Sequence, residues 1–385
     1  MIYLDNAATS WPKAPGVAES ITRFINEVGA NPGRSGHRLS IKAARMVSDV
    51  RARTAELFGA SDPLRVVFTH NITHAINIAL QGLLRPGDHV VTSSVDHNSM
   101  IRPLNSLALS GITFTAVTCQ PDGSLDPAAI HAAIKPETAM IALTHASNVL
   151  GALLPINRIG AIAREHDLLF LVDTASTAGC VPIDMQTDNI DLLAFTGHKA
   201  LLGPTGTGGL IISPHIDPSM IKPVFQGGTG SRSASETQPP FLPDLLECGT
   251  INTTGLAGLG AALVWINETG VGHIQQTCRK QARFLLEQFM ATEGVSVFGP
   301  VDTTMRTATI SFTISNLSPS RAGQLLDERY GIMCRIGLHC APRAHTTAGT
   351  FPEGTIRFSP GVFTTQDELA KAVHAVRSLA EEFSR

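Results

Sequence analysis

Residues 168–175 read LLFLVDTA and residues 192–199 read LLAFTGHK. Each is an apolar run that ends on side chains able to do chemistry: Asp173 in the first, and Thr196, His198 and Lys199 in the second. Neither run alternates apolar with polar, so neither predicts a strand with one wet face. Continuous apolar strands point to a parallel sheet covered by helices on both sides. Working outward, similar runs occur at 65–69 (RVVFT), 89–94 (HVVTSS), 112–118 (ITFTAVT), 139–145 (AMIALTH) and 208–213 (GGLIIS). Apolar residues at helical spacing predict helices at 73–84, 99–109, 126–134 and 157–166. Asp126-Pro127 opens one of these as a cap followed by proline in the first turn. The fold class is therefore α/β, with polar residues gathered at strand ends, where open parallel sheets bind ligands.

Past residue 215 the character changes. Residues 226–244 are rich in Gly, Ser and Pro and predict a long loop of functional or mobile type. A long helical region covers 254–292. Strands follow at 295–299, 308–315 and 355–359, with helices at 319–329 and 366–383. This is the pattern of a small α+β domain. A length of 385 residues suits two unequal domains. The expected division is 15–262 for the large domain, and 1–14 with 263–385 for the small one.

Composition excludes several classes. Lys plus Arg number 29 and Asp plus Glu 32, a net charge of −3, so nothing marks a nucleic-acid or anionic-membrane binder. A 43% apolar content supports a sizeable core. Six cysteines are too few for a disulfide framework, and none of their spacings reads as a zinc site. The opening MIYLDNAATS has neither the basic nor the apolar region of a signal peptide. The longest apolar stretches, 168–172 and 261–266, are far shorter than a membrane span. A cytoplasmic enzyme is the expectation.

Lys199, flanked by Gly, Thr and His at a strand end, is placed to form a Schiff base if burial lowers its pKa; the alternative is an ordinary surface lysine. Asp173 is either a helix cap or the partner of a cationic ligand atom. The glycines of 203–209 form no dinucleotide fingerprint and no P-loop. Residues 69–74 (THNITH) lie between a strand and a helix start, where backbone N–H groups and hydroxyls cradle phosphate or simply cap the helix. His70 and His74 have metal-like spacing but lack the glutamate of a zinc helix. Cys340, beside His339 and near Arg335, is in a setting that depresses a thiol pKa and makes a nucleophile. A metal reading of Cys334, His339 and Cys340 lacks the usual spacing. Cys119, Cys180 and Cys278 read as packing or surface residues, and Cys248 stays open.

In order and spacing these segments resemble the class V aminotransferase superfamily of pyridoxal-phosphate (PLP) enzymes. Within it they are similar to the cysteine desulfurase and selenocysteine lyase group with an RxGxHC motif, here Arg335, Gly337, His339 and Cys340. The resemblance also takes in Tyr3 to Thr9, 31–40, 70–77, Asp96-His97, 147–151, Asp173, 196–199, 249–253 and Arg357. It implies the PLP-dependent transferase fold type I, a large domain with a mainly parallel sheet plus a smaller α+β C-terminal domain. It implies that Lys199 carries the cofactor, Asp173 pairs with the pyridine nitrogen, His97 stacks on the ring and Asn148 bonds the ring's 3-oxygen. Thr73, Thr196 and His198 would bind the phosphate, helped by the N–H groups of Asn71 and Ile72. Thr250 would reach the neighbouring subunit's phosphate, which implies a homodimer. Arg357 would clamp the substrate carboxylate, with Asn148 and Arg335 also in the substrate site. Cys340 would be the nucleophile, its thiolate favoured by His339 or Arg335, and His37 would shuttle protons near the substrate thiol.

The implied reaction takes L-cysteine or L-selenocysteine to L-alanine, with the sulfur or selenium passed to Cys340 and then to an acceptor protein. The pattern departs from the family at three places. Ser176 stands where a glutamine usually bonds the 3-oxygen. Asn71-Ile72 replace Gly-Thr. The loop 227–235 (GGTGSRSAS) differs from that of well-known sulfur-mobilising members. Three other readings remain: a selenocysteine-selective lyase, a class V aminotransferase with a bystander Cys340, and a non-catalytic protein of the same fold.

Overall fold

The computed structural model of the chain describes residues 1–33 and 36–383. Its first half runs β1 (Ile2–Tyr3), α1 (Val17–Glu27), α2 (Arg38–Leu57), β2 (Val66–Thr69), α3 (Ile72–Leu83), β3 (His89–Ser93) and α4 (Asn98–Ala108). It continues through β4 (Thr113–Val117), α5 (Pro127–Ala132), β5 (Thr138–Thr144), α6 (Ile156–Glu165), β6 (Leu169–Asp173), β7 (Leu192–Thr196) and β8 (Gly208–Ile212). The second half has α7 (Thr253–Thr269), α8 (Val271–Met290), β9 (Val295–Phe298), β10 (Ile310–Ile314), α9 (Pro319–Tyr330), β11 (Ile332–Met333) and β12 (Arg335–Gly337). It closes with α10 (Pro342–Thr347), β13 (Thr355–Phe358) and α11 (Gln366–Phe383).

Seven strands form the main sheet in the order β2-β8-β7-β6-β5-β3-β4. The pairs among β4, β3, β5, β6 and β7 are parallel. Only β8 runs against its neighbours, because a short connection after β7 turns the chain straight back. The runs of β5, β6 and β7 are buried on both faces. Ile141, Leu143, Phe170, Val172, Leu193 and Phe195 enter one core. The intervening Met140, Ala142, Leu171, Leu192 and Ala194 enter the other. That two-sided burial is why these strands show no alternation.

A third core joins Ile2 and Leu4 to residues between Ala282 and Ala380, around the ring contacts of Phe289, Phe312 and Phe358. It backs an antiparallel sheet in the order β12-β13-β10-β9. The N-terminal strand lies along this half, with β1 parallel to β11 and a bridge from Asp5 to Ser359. The expected single helical region at 254–292 is two helices. Gly270, at φ 82°, ends one and begins the other. The helices α1 and α2, which pack on α7, lay outside the expected elements.

Candidate active site

Thr69, Asp173 and Thr196 end β2, β6 and β7, and Thr144 ends β5, so all four lie at one edge of the main sheet. The loops beyond them carry the chemistry. After β3, Asp96 is buried and ties two strand ends together. It accepts from Thr92 Oγ1 (3.0 Å), Ser93 N (2.9 Å), Ser93 Oγ (2.5 Å) and Thr144 N (2.6 Å). This fixes the loop that presents His97. His97 caps α4, and its Nδ1 accepts from Ser99 N at 3.0 Å. Burial first, and then Lys199, Arg335, Arg102 and Arg357, push the His97 imidazole down to about 4. It is therefore neutral at pH 7, with its proton on Nε2.

Asp173 is 2% exposed and accepts from Ala175 N (2.9 Å) and Ser99 Oγ (3.3 Å). Burial raises its pKa, opposed by the Ala175 bond and the Lys199 charge. Lys199 follows β7. Burial brings its amine down from 10.5 to about 8; Asp173 works against the fall, and Arg357 and Arg335 add to it. Lys199 is only partly exposed, which counts against the surface-lysine alternative.

The second half brings in Arg335, Cys340 and Arg357. Arg335 and Arg357 face each other across the β12–β13 pair. Like charges directly opposite destabilise a sheet, so their pairing marks a site and not a structural device. Arg357 is 1% exposed. Its Nη1 donates to Asn148 O (3.0 Å), its Nη2 donates to Asp5 Oδ1 (2.8 Å), and its Nε has no partner among the described residues. The fork expected to take a carboxylate bidentately is already shared with Asp5. Asp173, Arg357, Arg335 and Asp5 all act on Lys199, three cations with two carboxylates, so the local field favours anions.

Cys340 is the exposed cysteine among the described residues. Arg335 Nη2 lies 3.6 Å from its Sγ. Burial pushes the thiols of Cys119, Cys278 and Cys334 up to about 11, 12 and 12, and raises those of Cys180 and Cys248 as well. The loop is pinned to the lysine site by two bonds. Asn98 N donates to Cys340 O (2.9 Å), and Asn148 Nδ2 donates to His339 O (2.8 Å). Asn148 Oδ1 is buried without a partner, so the atom it offers a ligand is an acceptor.

Of the two candidates for favouring the Cys340 thiolate, His339 supplies no charge. It is buried, its pKa is driven down to about 2, and its ring bonds His345 and the Arg335 carbonyl. Arg335 alone of the two stands by the sulfur.

The phosphate candidates divide. Asn71 caps α3, and the N–H groups of Asn71, Ile72 and Thr73 find no acceptor among the described residues. Asn71, Thr73 and Thr250 line one open cavity of about 550 Å³. Thr196 and His198 do not line it. The Thr196 hydroxyl donates to Thr207 O (3.3 Å), and His198 Nδ1 meets Thr9 Oγ1 (3.1 Å). Ser176 lines a narrow pocket of about 70 Å³ together with Lys199. His37 stands apart; it is exposed and caps α2, with Nδ1 accepting from Ser40 N. Arg34 and Ser35, within the 31–40 segment, lie outside the described residues. The Asp5 contact and the Ser99 bond to Asp173 carried no expected role. Their partners are 352 and 74 residues away, and no local pattern announces them.

The family model for aminotransferase class V matches residues 2–371. A probable cysteine desulfurase of Methanothermobacter thermautotrophicus is 34% identical over 372 residues, which cover 96% of this chain and 92% of that protein. A cysteine desulfurase of Escherichia coli O127:H6 is 31% identical over 353 residues, covering 89% and 84%. Among solved structures, the apo cysteine desulfurase of Thermococcus onnurineus NA1 superposes with a TM-score of 0.93 at 29% identity, covering 99% of this chain and 95% of that one.

Proposed function

The chain belongs to the class V aminotransferase family, and from that premise we propose that it is a PLP-dependent cysteine desulfurase that converts L-cysteine to L-alanine. The observation that carries this reading is the pinning of the Cys340 loop to the lysine site through Asn98 and Asn148. A bystander thiol has no need of such bonds.

The donor set fits the cofactor. Asp173 is a buried carboxylate with two neutral donors, which suits a protonated pyridine nitrogen. The free N–H groups at the start of α3 suit a phosphate. When bound, PLP supplies an electron sink for the carbanion at the substrate α-carbon. Lys199 Nζ takes and returns the α-proton, for which an amine near pH 8 is well matched. Arg357, through Nη2 and its unpartnered Nε, binds the substrate carboxylate. His97 Nε2–H is the neutral donor over the site. The Cys340 thiolate, beside the Arg335 guanidinium, attacks the substrate sulfur. A sulfur–sulfur bond forms as the carbon–sulfur bond breaks, and the carbon product is protonated and leaves as alanine.

The finer parts of the reading are these. L-selenocysteine is a second substrate, and an acceptor protein takes the sulfur. The enzyme is a homodimer in which Thr250, exposed in the single chain, serves the neighbouring site, and His37 shuttles protons near the substrate thiol. It works in the cytoplasm; no helix among the described residues is long and apolar enough to cross a membrane. The large PLP-binding domain is 15–262, and the small domain is 1–14 with 263–385.

The test is alanine production from both amino acids by the native protein and by Cys340→Ala. The variant should lose cysteine turnover and keep part of selenocysteine turnover, since selenium is the better leaving group. Cysteine turnover at the native rate in the variant would overturn the assignment of the nucleophile. Faster transamination of alanine with a keto acid would favour the aminotransferase reading.

A further inference from the structure

Behind the thiol loop lies a buried chain of polar groups that the reaction does not use. His339 and His345 are 2% and 0% exposed, and their rings stack with centroids 5.5 Å apart. His339 Nδ1 is 3.3 Å from His345 Nε2, and His345 Nδ1 is 2.7 Å from Thr350 Oγ1. At the other end His339 Nε2 is 3.4 Å from Arg335 O. Burial holds both rings neutral at pH 7, at about 2 and about 4.

The Thr350 hydroxyl also lies 3.4 Å from the His345 carbonyl, and the His345 ring has a backbone bond to Leu338; with the shorter 2.7 Å contact to Nδ1 taken as the hydroxyl's bond, the protons fall into one arrangement. A carbonyl only accepts, so His339 carries its hydrogen on Nε2. His339 Nδ1 must then accept, so His345 carries its hydrogen on Nε2. His345 Nδ1 accepts in turn from the Thr350 hydroxyl. The chain runs one way, from Thr350 through both rings to the backbone of Arg335. It ends at the residue whose guanidinium meets Cys340 Sγ.

The loop needs such support. His339 and Cys340 are consecutive non-glycine residues with positive φ, 49° and 57°. Each left-handed residue costs energy unless its surroundings over-determine it. The bonds from Asn98 and Asn148 hold the loop's carbonyls from the cofactor side; the histidine chain holds it from behind.

We propose that His345 and Thr350 are positioning residues for the nucleophile, holding His339 in one tautomer and thereby Cys340 Sγ against Arg335. This rests on Cys340 being the sulfur acceptor. His345→Phe keeps the ring and removes the donor, and His345→Gln restores an amide donor. Thr350→Val and Thr350→Ser form a milder pair of the same kind. Two readouts are compared in the holoenzyme: the rate of Cys340 alkylation by iodoacetamide, and kcat and KM for alanine formation from L-cysteine. Losing one buried hydrogen bond should lower both the alkylation rate and kcat by about tenfold in His345→Phe, and less in Thr350→Val. KM should stay within about twofold, because Arg357 is untouched. His345→Gln and Thr350→Ser should recover most of the loss. Native rates in both His345→Phe and Thr350→Val would overturn the proposal, as would glutamine and serine variants no better than their apolar counterparts. If the native protein makes no alanine, the desulfurase reading fails, while the alkylation series still decides whether the chain positions Cys340.

Discussion

In protein freed of cofactor, the Lys199 amine should titrate near pH 8. Burial is the main cause, and the Asp173 carboxylate keeps the fall from going further. At pH 7 an amine of that pKa is unprotonated in about one molecule in eleven. For an ordinary lysine near 10.5 the fraction is about one in three thousand, so the enrichment in reactive amine is about 300-fold. The assay is competitive acetylation with acetic anhydride from neutral to strongly alkaline pH. The Lys199 peptide is quantified by mass spectrometry against one containing the exposed Lys222. The midpoint of the profile is read rather than its height, so restricted access to a buried amine does not disturb the result. Asp173→Asn should move the midpoint lower still, because the carboxylate raises the amine. A Lys199 midpoint in the ordinary lysine range, or an upward move in Asp173→Asn, would show that burial does not control this amine.

Asp5→Asn takes the charged partner from Arg357. It should lower stability by about 2 kcal/mol, less than the loss of a fully buried pair because the Asp5 side chain is 23% exposed. The same change should tighten binding of small carboxylate inhibitors, by removing a competitor. Urea unfolding and inhibitor titration check the two halves, and a variant unchanged in both is contrary evidence. Arg51→Ala breaks a bidentate pair with Glu247 (2.8 and 2.9 Å) whose side chains are 8% and 9% exposed, and should cost about 3–5 kcal/mol by urea unfolding. Gly151→Ala places a Cβ 2.6 Å from Thr309 O at φ +71°. It should destabilise by about 1–3 kcal/mol and raise KM for cysteine, since this turn holds Asn148.

The main sheet was readable because its strands are apolar on both faces, and the lysine and aspartate because they end those strands. What escaped has physical causes. Helix α2 buries mostly small or polar residues, among them Ser40, Ala43, Arg51 and Thr54, so its apolar stripe is faint. Strands β1 and β11 are two residues each and exist only through each other. The break at Gly270 is a single residue between two helical patterns. In the site, residue type gave Cys340 and Arg335, but not the direction of the His339 ring. That direction is set by His345, six residues on, and adjacency to a cysteine suggested the opposite. Asp5 lies in the Tyr3 to Thr9 segment that resembles the family, with nothing local to show that it meets Arg357.

In the proposed reaction Cys340 takes sulfur from a substrate bound at Lys199. The mass of the Cys340 peptide after brief exposure of the holoenzyme to L-cysteine reads that transfer. The peptide should be heavier by one sulfur atom, a gain reversed by a reducing thiol and absent in Lys199→Ala. Alanine released with the Cys340 peptide unmodified at every time point would contradict transfer to Cys340.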